Sequence, residues 1–77
     1  MANFTYEVLE NLGTISDKGA WCCELNVISW NHRAPSYDIR KWTDTHERMG
    51  KGISLSLSEL IALRDLLNDL DLEDRED

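Results

Sequence analysis

The chemistry-bearing residues of this chain crowd into one stretch, Trp30 to Leu55, which reads WNHRAPSYDIRKWTDTHERMGKGISL. It holds two tryptophans and five basic residues, Arg33, Arg40, Lys41, Arg48 and Lys51. Aromatic faces interleaved with cations suit planar, phosphate-linked ligands: bases stack on the rings and cations follow the backbone. Trp30, Arg40, Lys41, Trp42, Arg48 and Lys51, joined by Asn26, are therefore the candidate nucleic-acid-binding residues. Trp30, Arg40 and Trp42 share one surface if their strands pair as a hairpin. The competing reading packs both tryptophans in the core or in a subunit interface. Arg40 can hold a phosphate through two hydrogen bonds or stack on a base, or it can pair across strands with Glu24. Lys51 lies between Gly50 and Gly52, where bare backbone lets a bulky chain approach. The spacing is not that of a phosphate-binding P-loop, because Thr45 stands where its first glycine would fall.

Other reactive side chains are read as bland. His32 and His46 lie in polar segments without a Cys, Asp or Glu at metal-ligand spacing, so both are read as surface histidines and no metal site is expected. Cys22 and Cys23 are adjacent and point to opposite faces of a strand. They are read as reduced thiols that form neither a disulfide framework nor a shared metal site. No nucleophile and base are paired convincingly, and 77 residues leave little room for a substrate cavity. No catalytic residue and no cofactor are expected.

The net charge of −7 is unevenly spread. Residues 1–29 carry four acids and one base, residues 30–58 five bases and three acids, and residues 59–77 eight acids and two bases. Local potential governs contact with a phosphate chain, so the middle block, at +2, is the relevant one. No apolar run approaches membrane-spanning length. The N-terminus lacks the pattern of a signal peptide, so a cytoplasmic location is expected.

The positioning elements follow from periodicity. Phe4, Tyr6 and Val8 alternate with Thr5 and Glu7, as in a half-buried strand, and a bulge or turn is expected at Asn11–Gly13. Ser16–Gly19 reads as a turn. From Trp21 to Trp30, Trp21, Cys23, Leu25 and Val27 share an apolar face. Cys22, Glu24, Asn26, Ile28 and Trp30 share the other. Tyr37–Trp42 and Lys51–Leu55 read as further strands, with Ile53 and Leu55 pointing inward. Ser56 and Glu59 fit a capping box. Behind them Leu57, Leu60, Ile61, Leu63, Leu66, Leu67 and Leu70 recur at helical spacing, a face wider than one small sheet needs. Leu60, Leu63, Leu67 and Leu70 are the candidate dimer contacts. The domain is placed at residues 1–71, followed by a disordered acidic tail at 72–77.

Tyr37-Asp38-Ile39-Arg40-Lys41-Trp42, an eight-residue spacer, Lys51-Gly52-Ile53-Ser54-Leu55 and a leucine-rich helix together resemble a known family. It is that of the C-terminal domain of the transcriptional coactivator positive cofactor four, above all its small bacterial homologues. The resemblance covers roughly residues 20–70. It implies an α+β fold, a twisted antiparallel sheet followed by one C-terminal helix. It also implies a homodimer that binds single-stranded DNA with little sequence preference. By that resemblance Trp42 is a stacking residue, Arg40 a phosphate or base contact, and Lys51 the lysine before Gly-Ile-Ser-Leu. Cys22, Cys23 and Val27 depart from it, standing where relatives can carry basic residues. Two alternatives stay open at this point. One is a protein–protein adaptor working through the leucine helix and acidic tail, and the other is an RNA-binding protein.

Overall fold

The computed structural model describes residues 4–75. Four antiparallel strands follow one another as a meander, in the order β1 (Tyr6–Lys18), β2 (Trp21–Trp30), β3 (Ser36–Thr43) and β4 (Met49–Leu55). One helix, α1 (Leu57–Asp69), completes the α+β domain.

β1 is one continuous strand of 13 residues, longer than its broken alternation predicts. Register shifts against β2 fall between Val8 and Glu10, Asn11 and Gly13, and Thr14 and Ser16. The extra residues are Leu9, Leu12 and Ile15, all exposed. The expected irregularity at Asn11–Gly13 is thus a bulge. The turn comes later than expected, at Gly19-Ala20, where Gly19 takes φ +73°. Ser16 to Lys18 remain paired with Cys23 to Trp21.

Each bulge bends its strand and adds right-handed twist. Three in one strand coil the sheet around the face that carries Cys22, Glu24, Asn26 and Ile28. Those four residues are buried, whereas Trp21, Cys23, Leu25 and Val27 are only half-buried. The face that reads as polar in the sequence is therefore the enclosed one. Its buried residues are Cys22, Ile28, Trp42, Glu24, Asn26 and Asp38. The expectation that Ile53 points inward also fails: it lies opposite Ile39 on the outer face and is 55% exposed.

Gly52 has a purely local job. A Cβ there would overlap the Arg40 Cβ and lie 2.5 Å from the Ile39 carbonyl oxygen. Its bareness is used by β3, not left open for a ligand. Gly50 differs, because a Cβ there would meet only ordinary contacts at 3.7 Å.

The capping box forms as the sequence indicates. Glu59 N donates to Ser56 Oγ at 3.2 Å, and Ser56 N donates to Glu59 Oε1 at 2.9 Å. These bonds satisfy two amides that helix geometry leaves without partners. The main-chain bond from Ser56 holds the Glu59 carboxyl below its usual range, with the Ser56 hydroxyl adding to the effect. α1 lies over the outer face near Leu25 and Ile39, yet none of its residues is buried. Beyond it, Leu72–Asp74 form one 3-10 turn inside the segment expected to be a disordered tail, and residues 76–77 lie outside the described ones. Among the described residues no helix is long and apolar enough to cross a membrane.

Candidate nucleic-acid interface

The strand register brings Trp30, Arg40 and Trp42 to the enclosed face, as alternation requires. Cys22 lies opposite Trp42, Glu24 opposite Arg40 and Asn26 opposite Asp38. Tyr6 of β1 lies opposite Trp30. The rings form a continuous cluster. Tyr6 has its centroid 5.6 Å from Trp30 and 5.7 Å from Trp42, and Phe4 lies 5.7 Å from Trp30. All these pairs are tilted, with centroid separations inside the roughly 4.5–7 Å range of interacting aromatic rings. Phe4 is 64% and Tyr6 38% exposed, while Trp42 is 1% exposed. Phe4 and Tyr6 thus offer rings to solvent, Trp30 is half-buried, and Trp42 forms the floor. Trp42 stands where the core reading of the sequence puts it. The indole Nε1 atoms of Trp30 and Trp42 are buried and have no acceptor among the described residues.

Arg40 is partly committed within its own strand. Its Nε donates to Asp38 Oδ1 at 2.7 Å and its Nη2 to Asp38 Oδ2 at 2.9 Å. The alternative partner across the strands, Glu24, is not the one it takes. Asp38 is fully buried, and Ser54 Oγ also donates to it at 3.0 Å. Arg40 Nη1 reaches the Gly50 carbonyl oxygen at 3.3 Å, and the guanidinium carbon lies 4.7 Å from the Trp30 ring centroid. Asp38 therefore aims a flat cation along an aromatic face, an attractive cation–π geometry. Phe4, Trp30, Arg40 and Ser54 line a shallow niche there.

A second cleft, of about 450 Å³, opens between Tyr6, Asn11, Glu24, Asn26, Trp42 and His46. Asn26 is 1% exposed and acts within a chain of bonds. Asn11 Nδ2 donates to Asn26 Oδ1 at 2.7 Å, and Asn26 Nδ2 donates to Glu24 Oε1 at 3.2 Å. The other oxygen, Glu24 Oε2, receives the Cys22 thiol at 3.3 Å and faces His46 Nε2 at 2.9 Å. Burial pushes the Glu24 carboxyl up, but bonds from His46, Asn26 and Cys22, with the charge of His46, together hold it below its usual range. Burial raises the Cys22 thiol, and its bond to Glu24 and the charges of Glu24, Asp17 and Asp44 raise it further.

His46 is exposed at the surface, as the sequence indicates, but it does not lack ligand-forming neighbours: it faces Glu24 and stands near Cys22. The residue takes φ +61° in the β3–β4 turn, and its ring lies 5.6 Å from Trp42. Glu24, His46, Tyr6 and Phe4 are the members of the site that spacing alone did not single out. The Tyr6 and Phe4 alternation was the available signal. Nothing local points from His46 to a carboxylate 22 positions away.

The remaining candidates divide. Lys41 lies on the outer face, where Trp21, Lys41, Gly50 and Lys51 line a groove. Lys41 and Lys51 are thus brought together beside Trp21, away from Arg40 and Trp42. Arg48 is exposed at the end of the β3–β4 turn, its backbone paired with Thr43. On the helix, Leu60 and Leu63 are half-buried, while Leu67 and Leu70 are 43% and 40% exposed.

A four-stranded antiparallel meander with an aromatic and guanidinium inner face, backed by one C-terminal helix, defines the class of domain. Residues 20–66 match the family described as Transcriptional Coactivator p15 (PC4), and the chain belongs to that family. The match runs from the start of β2 into α1. The chain is also 50% identical over 72 residues to an uncharacterized protein of Treponema pallidum (strain Nichols), covering 92% of this chain and 85% of that protein. The resemblance carried by Asp-Ile-Arg and Lys-Gly-Ile-Ser-Leu is thereby confirmed, and membership points to a nucleic-acid-binding role.

Proposed function

We propose that this protein is a non-catalytic, sequence-tolerant single-stranded-DNA-binding protein that acts as a homodimer. One observation carries the reading: the sheet presents a cluster of Phe4, Tyr6 and Trp30 with the Arg40 guanidinium laid over Trp30. Exposed rings stack on any base, at roughly 1–3 kcal/mol per base, and a guanidinium adds both charge and a stacking plane. Arg48, Lys51 and Lys41, all exposed, supply cations for the phosphates beyond the aromatic cluster. The carboxylates of Glu24 and Asp38 on the inner face temper its potential. Affinity therefore depends on salt less steeply than for a strongly basic binder.

The second copy is inferred from apolar surface. Ile15, Leu25, Ile39, Leu60, Leu63 and Leu67 line an apolar groove on the outer face, and α1 has no buried residue. Leu57, Ile61, Leu66 and Leu70 add exposed apolar side chains along the same helix. A chain this small with so little covered core is the usual setting for oligomerisation.

Titration with oligothymidine, its RNA counterpart and a duplex tests the reading through tryptophan fluorescence and anisotropy. Single-stranded DNA should quench the fluorescence and bind most tightly, and Tyr6→Ala should weaken binding about tenfold while the fold survives. Absence of binding by any single strand would return the protein to the adaptor reading. Tighter binding of RNA would make the 2′-hydroxyl part of recognition.

A further inference from the structure

We propose that Cys22, Glu24 and His46 form a binding site for a divalent transition-metal ion of the zinc class, with one coordination position open to the inner cleft. The potential ligand atoms are Cys22 Sγ, Glu24 Oε2 and His46 Nε2, all within 4.8 Å of one another. Sγ lies 3.3 Å and Nε2 2.9 Å from the shared carboxylate oxygen. Around tetrahedral zinc, bond lengths of about 2.0–2.3 Å place neighbouring ligand atoms about 3.3–3.5 Å apart. The two edges that meet at Glu24 Oε2 therefore stand within a few tenths of an ångström of those of such a tetrahedron, and the third, from Cys22 Sγ to His46 Nε2, is no longer than 4.8 Å. Thiolate, imidazole and carboxylate are the donors this ion takes.

The surroundings fit a cation. The Asn11–Asn26 chain holds the remaining oxygen of Glu24, which fixes the carboxylate as outer-shell partners do in metal sites. Asp17 and Asp44 add negative potential at Cys22. A thiolate and a carboxylate together balance a double positive charge, so the occupied site would be neutral in a place where Cys22 and Glu24 are 8% and 7% exposed. Buried charge is costly unless compensated, and the ion supplies that compensation. The half-exposed ring of His46 gives a route in from solvent. Binding must expel the thiol proton, because the thiolate is the ligand. Nothing in this site depends on whether the face also binds single strands, although His46 packs against Trp42 and would be immobilised there by the ion.

Cobalt(II) titration of the full chain, kept reduced with a phosphine, is the test. The expected result is one ion per chain, visible d–d bands of tetrahedral intensity and a near-ultraviolet sulfur-to-cobalt charge-transfer band. Cobalt binding should release about one proton per ion, and zinc should then displace the cobalt with no further proton release. His46→Ala replaces a half-exposed ring and should leave the circular dichroism unchanged. It should weaken binding at least about tenfold, the smaller effect seen even for outer-shell partners. Cys22→Ser should remove the charge-transfer band, and Cys23→Ser should keep it. The proposal is overturned if no sulfur band appears. It is overturned equally if the band follows Cys23, or if folded His46→Ala binds as tightly as the parent.

Discussion

Trp42→Ala separates a packing role from a stacking role. The indole is 1% exposed and lies beneath Tyr6 and His46, in a core shared with Cys22, Ile28 and Met49. An aromatic side chain of this size buries roughly 150–250 Å². At about 25 cal/mol per Å² that is about 4–6 kcal/mol, and such truncations cost about 3–5 kcal/mol in practice. Losing the unpartnered Nε1–H returns part of this, on the order of 1 kcal/mol. A net loss of about 3 kcal/mol is expected, which for a chain of this length lowers Tm by roughly 12–24 °C. Trp42→Phe keeps a ring in the core, leaves a smaller cavity and removes the buried donor, so it should cost less than Trp42→Ala. Thermal and urea unfolding followed by circular dichroism would measure both, at one fixed protein concentration because a dimer's stability depends on it. A Trp42→Ala variant within about 0.5 kcal/mol of the parent would refute the packing argument, since ordinary surface changes stay within roughly that range. Loss of single-strand binding in such a variant would then make Trp42 a direct stacking residue.

Other perturbations test other links. Leu67→Asp places a charge in the apolar groove beside Leu25 and Ile39, and sedimentation should show monomer or unfolded chain where the parent sediments as a dimer. A parent that remains monomeric at micromolar concentration would remove the dimer from the proposal. The Glu24 carboxyl is held below its ordinary value, so it stabilises the fold above the unfolded value of about 4.3 and loses that contribution as pH falls through the folded value. Unfolding free energy should decline through that acid window in the parent and more gently in Glu24→Gln; parallel profiles would contradict this. Gly52→Ala should cost about 1–3 kcal/mol through overlap with Arg40, readable in the urea midpoint, and an unchanged midpoint would mean that the β3–β4 pairing is not this close. At neutral pH a maleimide should label half-buried Cys23 before Cys22, whose burial both covers the thiol and raises its pKa; mass mapping after proteolysis reads the order.

Local chemistry was enough for several elements. Strict alternation from Trp21 to Trp30 assigned β2 and both of its faces, because the strand period is two residues. Ser56 and Glu59 located the helix start, since a capping box is built within four consecutive residues. Asp-Ile-Arg-Lys-Trp before Lys-Gly-Ile-Ser-Leu marked the family that the match over residues 20–66 shows. Alternation separates two faces without saying which is covered, however. That was decided by the three bulges of β1, which coil the sheet around Cys22, Glu24, Asn26 and Ile28 and leave Leu25 and Val27 half-open. The same curvature buried Trp42. Arg40 turned along its own strand to Asp38, although the register sets it opposite Glu24. His46 met Glu24 and Cys22 only because the β3–β4 turn folds back over the inner face. Periodicity and capping act over a few residues and can be read from order alone. Contacts between residues 22 or 24 positions apart depend on how the sheet bends, and that is a property of the folded chain.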